Sequence, residues 1–119
     1  MQVSYAIVFV SDMQASVAFY RDVLGMPLRF ESPNWSEFAT DGATLALHLS
    51  QGTGHIDVNS ALESPGCCRP GLRVSDLDAF HERMLAMNVR CLRPPTMTFG
   101  NRIAQYVDPD GLAISVGEG

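Results

Sequence analysis

The sequence predicts an α+β fold of two tandem βαβββ modules, whose mixed β-sheets form a curved, partly open cavity with the helices on the outside. Three observations predict it: an ordered internal repeat, an amphipathic helix pattern in each half, and alternating strands after each helix. We expect the 119 residues to form a single domain, 1–119, with module one at 1–50, a linker at 51–66 and module two at 67–119. The linker is rich in Gly, Ser and polar residues, which is typical of a loop.

The internal repeat relates the two halves of the chain. The tripeptide Val10-Ser11-Asp12 recurs as Val74-Ser75-Asp76. At the same spacing, Leu28-Arg29 recurs as Leu92-Arg93. Because these matches occur in the same order in both halves, they indicate a duplicated structural unit rather than chance similarity.

Each half begins with a strand and a helix. In the first half, 6–10 is short and rich in β-branched residues, and Ser11 or Asp12 can cap the helix that follows. The predicted helix face contains Met13, Val17, Tyr20 and Leu24, and the matching face in the second half contains Leu77, Phe80, Met84 and Met87. Gly25 and Pro27 end the first helix, and Asn88 stands where the second should end.

Three further strands follow each helix. They are predicted at 28–32, 35–40 and 44–50 in the first module and at 90–94, 102–107 and 112–117 in the second. Asp41-Gly42 and the segment 108–111 are turn signals. Alternation along these strands separates an apolar face, which should pack on the helix, from a mixed face that should line the cavity.

The mixed faces define where a ligand should bind. On the first strand, Ala6, Val8 and Val10 would face the helix, which leaves Tyr5, Ile7 and Phe9 on the cavity side. The other cavity-side positions are Arg69, Gly71 and Arg73 on the fifth strand, His48 on the fourth and Ser115 on the last. Pockets of this kind combine apolar walls with a few polar groups that orient the ligand.

Composition and charge exclude several classes of protein. Hydrophobic residues make up 46% of the chain, and 13 acidic against 8 basic residues give a net charge of -5. This balance argues against nucleic-acid binding and against a basic membrane anchor. No apolar run is long enough to span a membrane, and the start of the chain lacks the pattern of a signal peptide. Three cysteines without a CxxC spacing favour a reducing compartment, so we expect a cytoplasmic protein.

Three motifs resemble one known superfamily. Val10-Ser11-Asp12, the run from Phe19 to Met26 and the run from Tyr106 to Gly111 are similar to the vicinal oxygen chelate superfamily. That group includes glyoxalase I, bleomycin-resistance and fosfomycin-resistance proteins and extradiol dioxygenases. The resemblance covers nearly the whole chain and implies the fold. It does not imply one reaction, because the motifs are helix and turn signals and the fold hosts many functions.

The resemblance also implies where a metal would bind. Metal-dependent relatives use one position on the first and last strand of each module, which here are Tyr5, His48, Arg69 and Ser115. Only His48 is a good ligand, since arginine has no lone pair to donate and neutral tyrosine and serine bind metals weakly. A different cluster of His48 with His55, Glu37 or Cys68 has no support from spacing. We therefore expect no metal and no other cofactor.

The leading functional hypothesis is a metal-free small-molecule-binding protein of the glyoxalase/bleomycin-resistance type. It would sequester an aromatic or cationic compound, as antibiotic-resistance proteins of this group do. Inward arginines favour an anion instead, so the charge of the ligand stays open. The alternatives are a divalent-metal-dependent lyase, isomerase or dioxygenase of the glyoxalase type, and a non-catalytic interaction module. No catalytic residue is assigned.

Ten residues are candidates for ligand binding. They are Tyr5, Ile7, Phe9, Trp35, His48, Arg69, Arg73, Phe99, Arg102 and Ser115. Trp35 would form an aromatic wall or a dimer contact. Phe99 follows Met97 in a loop rich in Pro and Thr, and Arg102 starts the next strand. This loop would cover the mouth of the pocket or be a plain connection.

Two residue types outside that group carry weaker signals. His81 should lie on the solvated flank of the second helix. Cys67 and Cys68 should be small buried residues, with a reactive thiol as the alternative.

The expected partners are a small organic molecule and a second copy of the chain. Relatives build pockets from two chains, and open sheets leave strand edges to be covered. The sequence thus favours a homodimer with no nucleic-acid or membrane partner, and its modules can be exchanged between the two chains.

Overall fold

The computed structural model describes residues 2–50 and 68–119. These residues form two compact units, and each contains one βαβββ arrangement with an open four-stranded sheet. The predicted pair of βαβββ modules is therefore confirmed. The predicted linker lies outside the described residues, and both the single domain and the shared cavity stay predictions.

The first unit contains a parallel pair of strands extended by a hairpin. Its elements are β1 (Tyr5–Val10), α1 (Met13–Ala18), a π-helical turn (Phe19–Val23), β2 (Leu28–Glu31), β3 (Trp35–Phe38) and β4 (Thr44–Leu49). The strand order is β1-β4-β3-β2, with β1 parallel to β4 and the other neighbours antiparallel. A parallel neighbour for β1 requires a crossover, which α1 and the hairpin strands supply.

The first helix begins and ends where the sequence predicts. The Asp12 carboxylate accepts a hydrogen bond from the Ala15 backbone N–H at 3.1 Å and so caps the helix. Gly25, with φ of 84°, ends it in the left-handed region. The second half of the helix differs from the expectation, because a π-helical bond joins the Leu24 N–H to the Phe19 carbonyl at 2.9 Å.

The core of the first unit lies between this helical segment and one face of the sheet. Its buried side chains are Val8, Val10, Met13, Val17, Tyr20, Leu24, Phe38, Leu45 and Leu47. The predicted helix stripe is therefore confirmed in full. At the ends of the strands the prediction is wrong, because Ala6 is exposed and Leu49 is only half-buried. Ala6 lies on the edge strand β1, and Leu49 is the last residue of β4.

The second unit repeats the first with longer strands. Its elements are β5 (Gly71–Val74), α2 (Leu77–Ala86), β6 (Cys91–Thr98), β7 (Asn101–Val107) and β8 (Ala113–Glu118). The strand order is β5-β8-β7-β6, with β5 parallel to β8. Asp76 caps α2 by accepting a hydrogen bond from the Ala79 N–H at 3.0 Å, as Asp12 does in the first unit.

The helix face of α2 is narrower than predicted. Leu77 and Met84 are fully buried, but Phe80 is half-buried and Met87 is 44% exposed. Met87 already departs from helical geometry, and Asn88 ends the helix at a φ of 57°. The prediction extended the apolar stripe one position too far.

The predicted loop between the sixth and seventh strands is wrong. Strand β6 continues through Pro94 and Pro95 to Thr98, and a two-residue turn at Phe99-Gly100 leads directly into β7. Proline is tolerated here because β6 is the edge strand of its sheet, and the register shifts around the prolines. Only the sheet order shows that β6 is an edge strand, which can accept these prolines.

The turn before β8 is held by a buried carboxylate. One oxygen of Asp108 accepts hydrogen bonds from the Asp110 and Leu112 N–H groups, both at 2.9 Å. Gly111 adopts a φ of 89°. These bonds explain why Asp108 is buried and why the Asp-Gly signal marked a real turn.

Two weaker expectations about the second unit are corrected. His81 is half-buried rather than solvated, with its Nδ1 atom 2.9 Å from the Tyr106 hydroxyl. Burial raises the pKa of Tyr106 to about 12. Cys68 is exposed rather than buried, while Cys67 lies outside the described residues.

None of the helices in the described residues is both long enough and apolar enough to cross a membrane.

Candidate functional site

The side of the first sheet that faces away from α1 is rich in aromatic rings. Leu45 and Leu47 of β4 are buried in the core, so the alternate β4 residues point to the opposite side. We call this side the aromatic face; it is formed by Tyr5, Ile7, Phe9, Arg29, Phe30, Trp35, Glu37, Thr44, Ala46 and His48. It contains all five of the candidate ligand-binding residues that lie in the first unit.

One row of rings crosses three strands. His48 of β4 lies opposite Phe9 of β1 and Trp35 of β3. The ring centroids of Phe9 and His48 are 5.3 Å apart, and those of Trp35 and His48 are 5.9 Å apart at an interplanar angle of 87°. The Nδ1 atom of His48 lies 2.8 Å from the Leu49 carbonyl, to which it donates. The Nε2 atom is then the ring nitrogen available to a ligand.

The rings of Tyr5 and Trp35 approach each other over Ala46. Tyr5 is opposite Thr44 and Trp35 is opposite His48, so their backbones are four residues apart along β4, or about 13 Å. Their ring centroids are nevertheless only 6.2 Å apart. Both side chains therefore lean toward the small residue between them, and Ala46 is fully buried.

Large apolar side chains of this face remain in contact with water. Tyr5 and Ile7 are each 49% exposed, Phe30 is 53% exposed and Phe9 is 64% exposed. A cluster of exposed rings on one sheet is typical of a surface that binds something, because scattered single residues are the usual pattern.

A polar group holds the indole of Trp35 in place. The Trp35 Nε1–H donates to one oxygen of Glu37 at 2.8 Å, and Arg29 donates to the other oxygen at 2.8 Å. Arg29 also donates to the Thr44 hydroxyl at 2.6 Å. The hydrogen bond from Trp35, followed by that from Arg29, lowers the pKa of Glu37 below its ordinary value. Glu37 is therefore ionised at neutral pH, and the indole has one preferred orientation.

An open depression adjoins the same end of the sheet. It has a volume of about 550 Å³, and Tyr5 and Thr44 are part of its lining. Polar backbone and side-chain groups near the start of β1 and the turn before β4 complete it. Because Tyr5 and Thr44 belong to both, the depression lies at the margin of the aromatic face.

The candidate residues of the second unit lie on both sides of its sheet. Arg73 is exposed on β5, and Ser115 of β8 is half-buried opposite Gly71. Arg69 is half-buried just before β5. These three remain candidates for ligand contact.

Arg102 lies on the helix side of the second sheet. Its guanidinium donates to both carboxylate oxygens of Asp78, at 2.6 and 3.2 Å, and lies 3.6 Å from Glu118. Asp78 is in the first turn of α2, so this ion pair anchors the helix to β7. Phe99 is at the hairpin tip and is 99% exposed. The segment between β6 and β7 is a plain connection of two residues, which is one of the two alternatives expected for it.

A bulge in β2 brings onto the aromatic face two residues that strand alternation does not predict there. The pairing of β2 with β3 shifts between Leu28 and Phe30. This extra residue places Phe30 opposite Glu37 and brings Arg29 within reach of Thr44. Simple alternation would have placed Leu28 and Phe30 on one side, so only the register reveals the correct face.

The described donor set does not fit a divalent metal. Tyr5 and His48 are not directly opposite each other, because Tyr5 pairs with Thr44 and His48 pairs with Phe9, and neutral tyrosine is a weak metal ligand. Arg69 brings a positive charge and no lone pair. Within residues 2–50 and 68–119, no group of three or more His, Cys, Asp or Glu side chains could hold a metal ion. His55, the remaining member of the alternative cluster, lies outside these residues.

Solved structures from several bacteria share this fold. Lactoylglutathione lyase from Agrobacterium tumefaciens is 22% identical, with a TM-score of 0.75 over 98% of this chain and 92% of that chain. TioX from Micromonospora sp. ML1 is 17% identical, with a TM-score of 0.77 over 99% and 98%. A glyoxalase-related enzyme from Fulvimarina pelagi is 26% identical, with a TM-score of 0.76 over 100% and 88%.

The family assignment rests on the sequence as well as the fold. No curated protein matches the chain. The family model described as the Glyoxalase/Bleomycin resistance protein/Dioxygenase superfamily matches residues 2–116. Together with the two βαβββ units, this match shows that the chain belongs to the glyoxalase/bleomycin resistance protein/dioxygenase superfamily.

Proposed function

We propose that the chain is a metal-free small-molecule-binding protein that holds an aromatic compound on the aromatic face. The observation that carries the proposal is the pair of rings at Tyr5 and Trp35, 6.2 Å apart beside exposed Phe9 and Phe30. A planar ligand that stacks on these rings removes them from water. Each aromatic contact contributes about 0.5–1.5 kcal/mol beyond the burial itself.

Preorganisation supports binding at this face. The Trp35 indole is already fixed by Glu37, so a ligand does not have to order it on binding. Less side-chain entropy is then lost when the complex forms. Sequestration of an aromatic antibiotic is one biological use of such a site.

Matched phenylalanine variants test the proposal. Trp35 is the only tryptophan, so its fluorescence reports on the face directly, and calorimetry with a panel of planar aromatic compounds gives affinities. Phe9→Ala and Phe30→Ala should each weaken binding about three- to tenfold. Phe99→Ala, which removes an exposed ring at the hairpin tip, is the control and should bind like the parent.

The proposal fails if no compound in the panel gives saturable binding to the parent protein. Equal weakening by all three variants would also contradict it, because the ligand would then contact the hairpin tip as strongly as the aromatic face. Thermal unfolding of each variant separates lost binding from lost folding.

A metal-dependent lyase, isomerase or dioxygenase is the alternative that the superfamily suggests. Its support is the family match, and the donor set at Tyr5, His48, Arg69 and Ser115 weakens it. Elemental analysis of protein purified without chelators discriminates the two. Stoichiometric retention of zinc, nickel, iron or manganese would favour the enzyme over the binding protein.

A further inference from the structure

We propose that the ligand of the aromatic face is an aromatic carboxylate, and that Arg29 binds its carboxylate group. This inference rests on the proposed function and specifies the charge of its ligand. It depends on which charged group of the face has unused hydrogen-bonding capacity.

Arg29 is placed on the aromatic face by its own hydrogen bonds. A single nitrogen, Nη2, donates both to Glu37 and to Thr44. Nη1 and Nε of Arg29 donate to no side chain or backbone group within the described residues. The side chain is 48% exposed, so these donors are accessible to a ligand from solution.

Glu37 is a poorer partner for a ligand. Each of its oxygens already accepts a hydrogen bond, one from Trp35 and one from Arg29, and its side chain is only 20% exposed. A cationic ligand would have to displace one of these donors and approach a guanidinium. The accessible charge of the face is therefore positive, which favours an anion.

The rings and the guanidinium are close enough to bind one small molecule. Arg29 donates to Thr44, whose neighbour on β1 is Tyr5, and paired strands are about 4.8 Å apart. Phe30 follows Arg29 directly in the bulge and is 53% exposed. Tyr5 and Thr44 also line an open depression of about 550 Å³ at the margin of the face. A bicyclic ring stacked on Tyr5 or Phe30 can thus present a carboxylate to Nη1 of Arg29.

Three probes that share a naphthalene ring and carry a negative, a neutral or a positive substituent test the assignment. They are naphthalene-2-carboxylate, naphthalene-2-methanol and naphthalene-2-methylammonium, titrated against the parent protein by calorimetry and Trp35 fluorescence. We expect the carboxylate to bind about tenfold more tightly than the alcohol, and the ammonium compound to bind most weakly. Added salt should weaken the binding of the carboxylate more than the binding of the alcohol.

A matched pair of arginine variants locates the charge. Arg29→Met should remove the preference for the carboxylate over the alcohol. Arg21→Met changes the net charge equally, and Arg21 has a similar exposure of 44% but pairs with Asp22 in the helical segment. This control should keep the preference.

The outcomes separate the two proposals. If none of the probes binds, the proposed function itself fails. If all three bind equally, or the ammonium compound binds most tightly, only the carboxylate assignment is overturned. Loss of the preference in Arg21→Met would also overturn it. If Arg29→Met fails to fold, the order of the three probe affinities for the parent protein still tests the carboxylate assignment.

Discussion

Glu37 shows how one side chain organises the aromatic face. Its carboxylate lies among rings, where an unpaired charge would be costly, and it is stabilised by hydrogen bonds from Trp35 and Arg29. The same bonds orient the indole and hold the guanidinium beside Thr44. Arg102 differs from Arg29, because it lies on the helix side of its sheet and its guanidinium is paired with Asp78.

Acid should loosen the indole of Trp35. The pKa of Glu37 is lowered in the folded state, so its stabilising contribution is present above the unfolded value, about 4.3, and is lost as the pH falls through the folded value. We expect the Trp35 emission to change only as the pH falls below the ordinary range of a glutamate carboxyl. Glu37→Gln, which cannot titrate, should abolish this change. An unchanged transition in the variant would assign it to another group.

At the scale of elements, the helices of the two βαβββ units start at the same local sequence signal. Both helices begin at an aspartate whose carboxylate accepts a hydrogen bond from the N–H three residues later, at 3.1 and 3.0 Å. Two of the strands that depart from expectation, β2 and β6, are edge strands. An edge strand pairs on one side only, so it tolerates the bulge at Arg29 and the prolines of β6.

Removing either helix cap should destabilise the protein by a similar amount. We expect Asp12→Ala and Asp76→Ala each to lower the free energy of unfolding by about 1 kcal/mol. The double variant should lose about 2 kcal/mol if the two sites are independent. Gln14→Ala, an exposed position on α1, is the control and should change little. Urea unfolding measures the free energy of unfolding of all four variants. A large loss of stability in Gln14→Ala would show that the losses do not come from the helix caps.

The hairpin tip should become more stable when its aromatic residue is replaced. Phe99 has a φ of 49° and is 99% exposed, so it bears the strain of a left-handed conformation without a packing gain. Phe99→Asn creates the preferred Asn-Gly turn and should raise the free energy of unfolding by about 0.5–1 kcal/mol.

Phe99→Ala, which keeps the Cβ atom, is the comparison for that change. It should alter stability much less, because the strain comes from the backbone rather than the ring. If both variants are destabilised in thermal unfolding, the ring makes a contact that a single chain does not reveal.

For the whole molecule, two open sheets leave four edge strands within the described residues. They are β1 and β2 in the first unit and β5 and β6 in the second. Together with the exposed rings of the aromatic face, these edges favour association with a second copy. The homodimer and its exchanged modules accordingly stay predictions of the sequence.

Sedimentation velocity checks the assembly. We expect a species of twice the 13.0 kDa chain mass at micromolar concentration, since open edges and exposed rings are both covered by pairing. Phe9→Ala should weaken the dimer if the aromatic face forms the contact and leave it intact if that face is kept for the ligand. A 13.0 kDa species at every concentration would contradict the dimer.

The sequence alone determined the duplicated βαβββ order, both aspartate caps, the left-handed helix ends and the apolar stripe of α1. These features depend on neighbours three or four residues apart, whose spacing is visible in the chain. It also placed Tyr5, Ile7, Phe9 and His48 on the mixed sides of their strands, because side chains alternate along a strand. Trp35 was expected to be an aromatic wall or a dimer contact, and only the pairing of β3 with β4 places it beside His48.

The tertiary structure decided the features that depend on pairing between distant strands. The bulge in β2 put Arg29 and Phe30 on the aromatic face, the edge position of β6 let it run through two prolines, and the packing of α2 on the sheet gave Arg102 its partner Asp78. In each case the outcome depends on a partner elsewhere in the chain. No local pattern carries that information, because register is set when strands meet.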